Sequence, residues 1–169
     1  NKIVKEISVQ ILGAASSGSG VLVRREGEKY IVLTAWHVIK DNLPGEEIDI
    51  VTFDGEVHST EVSTLERIGE VDLALISFKS KNNYSVANLQ TNQRANQKIF
   101  VSGFPLGSKG ELTINKGRLI ASSNFGDDGY NLLYNNSTFP GMSGGAIINE
   151  EGQLIGIHGR GEIDNFKSK

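Results

Sequence analysis

Apolar residues recur at every second position through most of this chain, and that alternation constrains its fold more than any other feature. A period of two places apolar side chains on one face of a strand and polar side chains on the other. Gly, Pro, Asn or Asp bounds each alternating stretch, which is typical of short strands joined by turns. The main stretches are residues 6–12, 20–25, 29–35, 47–53, 71–78, 98–104, 111–122 and 145–159.

About a dozen short strands at such spacing predict an all-β chain built as a sandwich or as barrels. A polar, Asn- and Gln-rich connection at about 81–96 separates two β units, at about 1–80 and 97–169. We therefore predict two small barrels packed together in a single domain of 169 residues. Residues 149–152 and 126–129 are predicted hairpin turns, and residues 35–42 are the one helical turn expected.

Composition excludes several classes of function. The chain has no Cys, so disulfides, thiolate catalysis and cysteine-ligated zinc are excluded. Its net charge is −3 and its Lys and Arg are scattered, so no basic stripe for nucleic acid is expected. No run approaches the roughly 18 apolar residues of a membrane span. The start lacks the apolar region of a signal peptide; a processed Asn1 would favour a secreted or periplasmic protein, and a cytoplasmic location stays open.

One stretch, "TFPGMSGGAI" at residues 138–147, does not look like ordinary structure. It places Ser143 between Gly141 on one side and the pair Gly144 and Gly145 on the other. Glycines let backbone approach a reacting carbonyl closely and allow strained dihedral angles. Ser143 is therefore either a nucleophile or a hydroxyl in a tight turn, and the choice depends on the rest of the chain.

Two further residues complete a set that nucleophilic catalysis requires. His37 lies where an apolar strand gives way to the predicted helical turn, and Asp72 opens the strand at 71–78. A serine hydroxyl needs a base, histidine is the base suited to neutral pH, and a carboxylate fixes the histidine tautomer. The N–H groups of Gly141 and Ser143 can then stabilise an oxyanion, typically by about 3 kcal/mol per donor.

Chain order separates two families of hydrolase. "GMSGG" also satisfies the G-x-S-x-G elbow of α/β-hydrolases, but that fold needs a helix after the serine and the order Ser, acid, His. Here the order is His37, Asp72, Ser143, and a β-hairpin follows the serine. This is the order of chymotrypsin-like enzymes.

With these motifs the chain resembles the trypsin-like (chymotrypsin-fold) serine peptidases, in their bacterial branch without disulfides, with glutamyl-endopeptidase-like and HtrA-like features. The matching stretches are "LTAWHV", "VDLALI" and "GMSGGAI", supported by "SGSGVLV" (17–23), "VSGFPLG" (101–107) and "LIGIHG" (154–159). The resemblance implies two six-stranded antiparallel β-barrels with the triad in the cleft between them. It also implies a peptide or protein substrate and no metal or organic cofactor.

Three positions are informative within that resemblance. Met142 stands where zymogen-type trypsins carry an aspartate, so a trypsin-type activation switch is not expected. Gly159 stands where many relatives have a serine that supports the catalytic aspartate. "SGSG" (17–20) lacks the continuation of a phosphate-binding loop, and we predict a turn feeding a strand.

The resemblance places His158 in the pocket for the substrate side chain before the scissile bond, with Ser137 and Thr138 opposite. A histidine with nearby hydroxyls can hydrogen-bond a Glu or Asp carboxylate without a full opposing charge. Cleavage after acidic residues is the resulting hypothesis. The alternative is that His158 is a strand histidine with no part in selectivity.

Two other functions stay open beside a serine endopeptidase. One is a non-catalytic peptide-binding module on the same fold, although no triad member is missing. The other is the protease core of a larger HtrA-like quality-control protein, which would carry a peptide-binding module such as PDZ beyond these residues; none is predicted in the ten or so residues after "GIHG". The sequence predicts no oligomeric state. It also leaves open whether the Pro140–Gly141 peptide is oriented for catalysis.

Overall fold

A computed structural model of the chain describes residues 2–90, 96–122, 132–134 and 140–159. Within them are two short α-helices, a 3₁₀ turn at Val62–Thr64 and twelve strands. The helices are α1 (Lys2–Ile7) and α2 (Trp36–Ile39). The strands are β1 Ser8–Leu12, β2 Ser17–Glu26, β3 Lys29–Thr34, β4 Glu47–Val51, β5 Val57–Glu61, β6 Glu66–Arg67, β7 Ala74–Lys79, β8 Lys98–Gly103, β9 Thr113–Ser122, β10 Leu132–Tyr134, β11 Ala146–Asn149 and β12 Leu154–Ile157.

The first sheet has the order β5-β4-β1-β2-β3-β7-β6, and its neighbouring strands are antiparallel. It curls until β5 meets β7, where the Thr60 hydroxyl donates a 2.7 Å hydrogen bond to the Ser77 carbonyl. This contact joins two strands that lie far apart in the sheet order and so closes a barrel. Its interior is filled by buried apolar side chains, among them Ile11, Leu22, Val32, Ile48, Ile50 and Ile76.

The second sheet has the order β10-β9-β8-β11-β12, again with antiparallel neighbours. Its core consists of Ile99, Val101, Leu119, Met142, Ile147 and Ile155. The predicted hairpin turn at residues 149–152 is confirmed: the Gly152 N–H donates to the Asn149 carbonyl at 3.1 Å, and Gly152 has φ +80°. The other predicted turn, at 126–129, lies outside the described residues.

The prediction of an all-β fold with two antiparallel β-barrels is confirmed, although the described strands divide between the two sheets as seven and five rather than six and six. The seventh strand of the first sheet, β6, pairs with the edge of β7 through only two residues. Among the described residues, no helix is long and apolar enough to cross a membrane.

Helix α1 was not predicted, because the sequence pattern assigned residues 6–12 to a strand. In the structure the helix runs to Ile7 and the strand begins at Ser8, whose hydroxyl donates to the Val4 carbonyl at 2.6 Å. Val4 and Ile7 are fully buried in a cluster that draws residues from both sheets. Burial of this one apolar face, rather than helix propensity, therefore accounts for a helix of six residues.

The connection between the sheets is hydrogen-bonded to both of them. The Ala87 N–H donates to the Leu22 carbonyl of β2 at 2.8 Å. On the other side, the Leu154 N–H of β12 donates to the Asn88 carbonyl at 2.7 Å, and the Gln90 N–H donates to the Leu154 carbonyl at 2.9 Å. These bonds, together with the shared apolar cluster, fix the second sheet against the first.

Candidate active site

His37 is placed by the short helix that follows β3. Helix α2 begins at Trp36, so the His37 N–H lies in the first turn and has no partner within the helix. Asp72 supplies that partner, because its Oδ1 accepts a 2.7 Å hydrogen bond from the His37 N–H. The carboxylate therefore fixes the backbone of the histidine as well as its ring.

The same carboxylate orients the imidazole. Asp72 Oδ2 lies 2.7 Å from His37 Nδ1, and the carboxylate side chain is only 6% exposed. An acceptor at this distance holds the proton on Nδ1 and leaves Nε2 as the basic nitrogen. The imidazole is 38% exposed, so it remains accessible from the cleft. The two residues that the sequence placed 35 positions apart are thus brought into direct contact.

Ser143 lies in a tight turn between residue 140 and β11. Gly141 and Gly144 have φ values of +97° and +89°, in the region that glycine tolerates best. A Cβ on Gly144 would lie 1.9 Å from the Ser19 carbonyl oxygen. Glycine is therefore required there by both conformation and space, because the turn packs directly on strand β2 of the first sheet.

The peptide between Pro140 and Gly141 is held by a neighbouring loop. The Leu106 N–H donates a 2.7 Å hydrogen bond to the Pro140 carbonyl. In a trans peptide the N–H points opposite to the carbonyl, so the Gly141 N–H points away from Leu106. Neither that N–H nor the N–H of Ser143 donates to any residue that the structure describes. As far as the described residues extend, both donors are open to a ligand oxygen.

The Ser143 hydroxyl donates a 2.8 Å hydrogen bond to the Gly159 carbonyl. Within the described residues it forms no hydrogen bond with His37. Rotation about the Cα–Cβ bond of Ser143 exchanges the carbonyl for another partner without moving the backbone. The Gly159 position, where the resembled family has a serine, thus contributes a backbone acceptor to the site.

His158 lies beside this turn and is almost completely buried, with 2% of its surface exposed. Its backbone exchanges hydrogen bonds with the turn: the His158 N–H donates to Gly145 at 2.8 Å, and the Gly144 N–H donates to His158 at 2.7 Å. Burial, and secondly the charge of nearby His37, lower the pKa of His158 to about 4. Its imidazole is therefore neutral near pH 7. Ser137 and Thr138, predicted to face it, lie outside the described residues.

Met142, which precedes the serine, is fully buried in the core of the second sheet. Packing of this apolar side chain in the core holds the turn against the second sheet. It also means that no carboxylate occupies the position from which a trypsin-type switch would operate.

The sequence interpretation missed Ser19 and Thr34, which form hydrogen bonds beside the Ser143 turn. Ser19 was assigned to a turn, but residues 17–20 are the beginning of strand β2, so that prediction is wrong. The Ser19 N–H donates to the Ser143 carbonyl at 2.8 Å, and the Thr34 hydroxyl donates to the Ser19 carbonyl at 2.7 Å. The one available signal was the row of small residues in an otherwise apolar strand, which marks a close approach of another backbone.

Comparison with known proteins gives consistent matches. The family model described as a trypsin-like peptidase domain matches residues 18–157. Serine protease Do-like HtrA of Lactococcus lactis subsp. lactis is 31% identical over 157 residues, which make up 86% of this chain and 37% of that protein. Serine protease Do-like HtrB of Bacillus subtilis is 27% identical over 150 residues, or 83% of this chain and 32% of that protein. The chain thus spans about a third of the length of these curated relatives.

The fold has a close counterpart among solved structures. The crystal structure of Deg5 aligns with a TM-score of 0.73, covering 99% of this chain and 88% of that one. Sequence identity in this alignment is 20%, so the likeness concerns the fold.

Proposed function

This chain belongs to the trypsin-like peptidase family, and from that premise we propose that it is a serine endopeptidase with the triad His37, Asp72 and Ser143. The observation that carries the proposal is that Asp72 accepts two hydrogen bonds of 2.7 Å, one from the backbone N–H and one from the ring of His37. A buried carboxylate that fixes the tautomer of a partly exposed imidazole is the arrangement that general-base catalysis requires.

Acylation follows from the positions of these groups. The Ser143 hydroxyl leaves the Gly159 carbonyl and attacks the peptide carbonyl as its proton passes to His37 Nε2. The imidazolium is stabilised by Asp72 and then donates that proton to the leaving amine. In the second half, a water molecule gives its proton to His37 and attacks the acyl carbonyl. The bond to Ser143 Oγ then breaks, His37 returns the proton to that oxygen, and the acid product is released.

The developing oxyanion is stabilised by two backbone donors. The N–H groups of Gly141 and Ser143 are the proposed pair, and both are free of described partners. Each such donor typically contributes about 3 kcal/mol to the transition state. The bond from the Leu106 N–H to the Pro140 carbonyl supports this role, because it fixes the orientation of the peptide that carries the Gly141 N–H.

We also propose that these residues form the protease core of a larger HtrA-like protein. The support is the similarity to proteins named serine protease Do-like HtrA and HtrB, of which this chain spans about a third. Their greater length is compatible with an added module outside this segment.

The finer proposal is a preference for Glu or Asp before the scissile bond. His158 supports it, because a neutral imidazole next to the serine turn can donate an N–H to a carboxylate. Burial of this histidine means that it contacts only the innermost part of a substrate side chain.

The triad is tested with a serine-directed fluorophosphonate. We expect the wild-type protein to be labelled and the Ser143→Ala protein to remain unlabelled, with peptide hydrolysis lowered by about 10⁶-fold. The matched control is Ser63→Ala, which removes an exposed hydroxyl next to the first sheet and should label normally. Persistent labelling of Ser143→Ala refutes the triad, and an unlabelled wild-type protein supports a non-catalytic binding module instead.

Selectivity is tested with a panel of peptides that carry Glu, Asp, Leu or Arg before the scissile bond. The proposal expects the highest kcat/KM for Glu or Asp. Cleavage of the Leu peptide at an equal or greater rate contradicts it, while leaving the triad assignment intact.

A further inference from the structure

We propose that Ser19 is a positioning residue that sets the geometry of the oxyanion turn from the opposite sheet. The inference rests on the proposed peptidase function of that turn. Ser19 lies on β2 of the first sheet and is 1% exposed. It does not contact the reacting atoms; its effect passes through the backbone of Gly141.

The Ser19 hydroxyl bridges two segments of the second unit. It accepts a 2.8 Å hydrogen bond from the Phe104 N–H and donates a 2.9 Å hydrogen bond to the Gly141 carbonyl. Because the Phe104 N–H occupies a lone pair of the oxygen, the hydroxyl proton is left to point at Gly141. These two hydrogen bonds therefore determine the direction of the Ser19 O–H bond.

Hydrogen bonds from outside the turn hold both peptide planes that meet at Gly141, and the Ser19 hydroxyl supplies one of these bonds. The plane before Gly141 is held by the Leu106 N–H on the Pro140 carbonyl at 2.7 Å. The plane after Gly141 is held by the Ser19 hydroxyl on the Gly141 carbonyl. Glycine has little conformational preference of its own, so these external bonds decide where its N–H points.

The two restraints are also linked to each other. Phe104 and Leu106 belong to the same loop after β8, and the Phe104 N–H is bound to Ser19. One hydroxyl thus holds the carbonyl of Gly141 and the loop whose Leu106 N–H holds Pro140. Loss of this oxygen leaves a buried N–H and a carbonyl without that partner, and such groups are costly to leave unsatisfied.

The backbone of Ser19 also links the strand that precedes His37 to the turn that carries Ser143. Its own N–H binds the Ser143 carbonyl at 2.8 Å, and its carbonyl is bound by Thr34, three residues before His37. The residue therefore connects the strand that leads to the proposed base with the turn that carries the proposed nucleophile. It thereby fixes the position of this turn relative to that strand.

The test replaces Ser19 by Ala and by Thr, with Ser8→Ala as the matched control. Ser8 is also a buried serine of the first sheet, 2% exposed, but its hydroxyl binds the Val4 carbonyl away from the turn. We expect Ser19→Ala to lower kcat by about 10- to 100-fold, a partial form of the loss seen when one oxyanion donor is removed. KM should stay the same, and Ser19→Thr, which keeps the hydroxyl, should recover most of kcat.

A second measurement separates positioning from a general loss of structure. A peptidyl trifluoromethyl ketone, which forms an oxyanion on the enzyme, should bind Ser19→Ala more weakly by the same factor as the fall in kcat/KM. A product peptide, which forms none, should bind unchanged. Equal weakening of both ligands, or kcat equal to that of Ser8→Ala, overturns the proposal.

Amide hydrogen exchange keeps this test independent of the proposed activity. The Phe104 amide should exchange faster in Ser19→Ala than in Ser8→Ala, because its acceptor has been removed. Unchanged exchange refutes the bridge itself. The bridge can be confirmed while the wild-type protein neither reacts with the fluorophosphonate nor cleaves peptides. In that case the proposed function is refuted, and the contact of Ser19 with Phe104 and Gly141 stands.

Discussion

The two sheets contribute to the site in different ways. His37 and Asp72 both come from the chain of the first sheet and hold each other through two hydrogen bonds of 2.7 Å. The turn around Ser143 belongs to the second sheet, yet it is bound by Ser19 of the first sheet and by the loop at Leu106. The proposed base and its carboxylate partner thus lie within the chain of one sheet, whereas the turn of the proposed nucleophile depends on both sheets.

This difference predicts which substitutions separate activity from stability. A change in the base–acid pair should affect catalysis and leave the turn in place. A change in the turn should affect both catalysis and folding, because it disturbs the contact between the sheets.

Among the substitutions that compare the two sheets, the largest effect is expected from Asp72→Asn. An amide at this position favours the wrong tautomer of His37, and kcat should fall by about 10⁴-fold. The free energy of unfolding should change far less, since the side chain volume is kept. Steady-state kinetics and urea unfolding at pH 7 measure the two quantities.

The control is Asp49→Asn, a substitution on β4 whose carboxylate binds the Ser59 hydroxyl on the neighbouring strand. It should retain wild-type kcat. A fall of less than tenfold for Asp72→Asn would show that the pair is not needed for turnover.

The next largest effect, on both the free energy of unfolding and the activity, is expected from Gly144→Ala in the turn. Its Cβ would lie 1.9 Å from the Ser19 carbonyl and 2.4 Å from the Thr34 hydroxyl, at a φ of +89°. Overpacking and left-handed strain together should lower the free energy of unfolding by about 2–5 kcal/mol. Activity should fall with it, because the turn shifts from β2.

Gly27→Ala provides the comparison within the first sheet. Gly27 has φ +64°, but a Cβ there would meet nothing within 4 Å. Only the strain of a left-handed backbone then lowers the free energy of unfolding, by about 1–2 kcal/mol. If the two variants lose the same stability, the close contact between the turn and β2 has no energetic weight.

The smallest effect concerns pH. Burial, and secondly the charge of His37, lower the pKa of His158 to about 4 in the folded protein, below its ordinary 6.5. The unfolded chain therefore binds more protons between these values, and stability falls as the pH drops from about 6.5 to 4. The loss should reach about 3 kcal/mol. Urea unfolding from pH 7 to pH 4 measures it, and His158→Gln should flatten this part of the profile.

His58 on β5 is the counterpart in the first sheet. Its pKa is also lowered by burial, while the charges of Glu56 and Asp54 act in the opposite direction. Because His58 is only half-buried, His58→Gln should flatten the profile less than His158→Gln does. The reverse order would show that the buried histidine beside the turn does not dominate acid sensitivity.

Much of the fold was predictable because strand patterns are local. Alternation located most of the strands, since each face of a strand is determined by neighbouring residues. Helix α1 was not predicted, because a six-residue segment with buried Val4 and Ile7 is too short to show a helical period in the sequence. The pattern at residues 6–12 was therefore extended into it.

The site was predictable in its residue types and less so in its connections. His37, Asp72 and Ser143 each occupy a distinctive local context, and their chain order selects the family. The bond from Ser143 to Gly159 depends on a side-chain rotation that no sequence pattern encodes. The role of Ser19 depends on a partner 122 residues away, so its local pattern gave only the appearance of a turn.

That separation has a consequence for how the molecule matures. The hydrogen bond between Ser19 and Gly141 closes a loop of 122 residues, so it cannot form until nearly all of this segment has left the ribosome. Contacts across so long a loop also form slowly relative to local ones. A nascent chain would thus carry a finished first barrel and its histidine–aspartate pair while still lacking an assembled oxyanion turn.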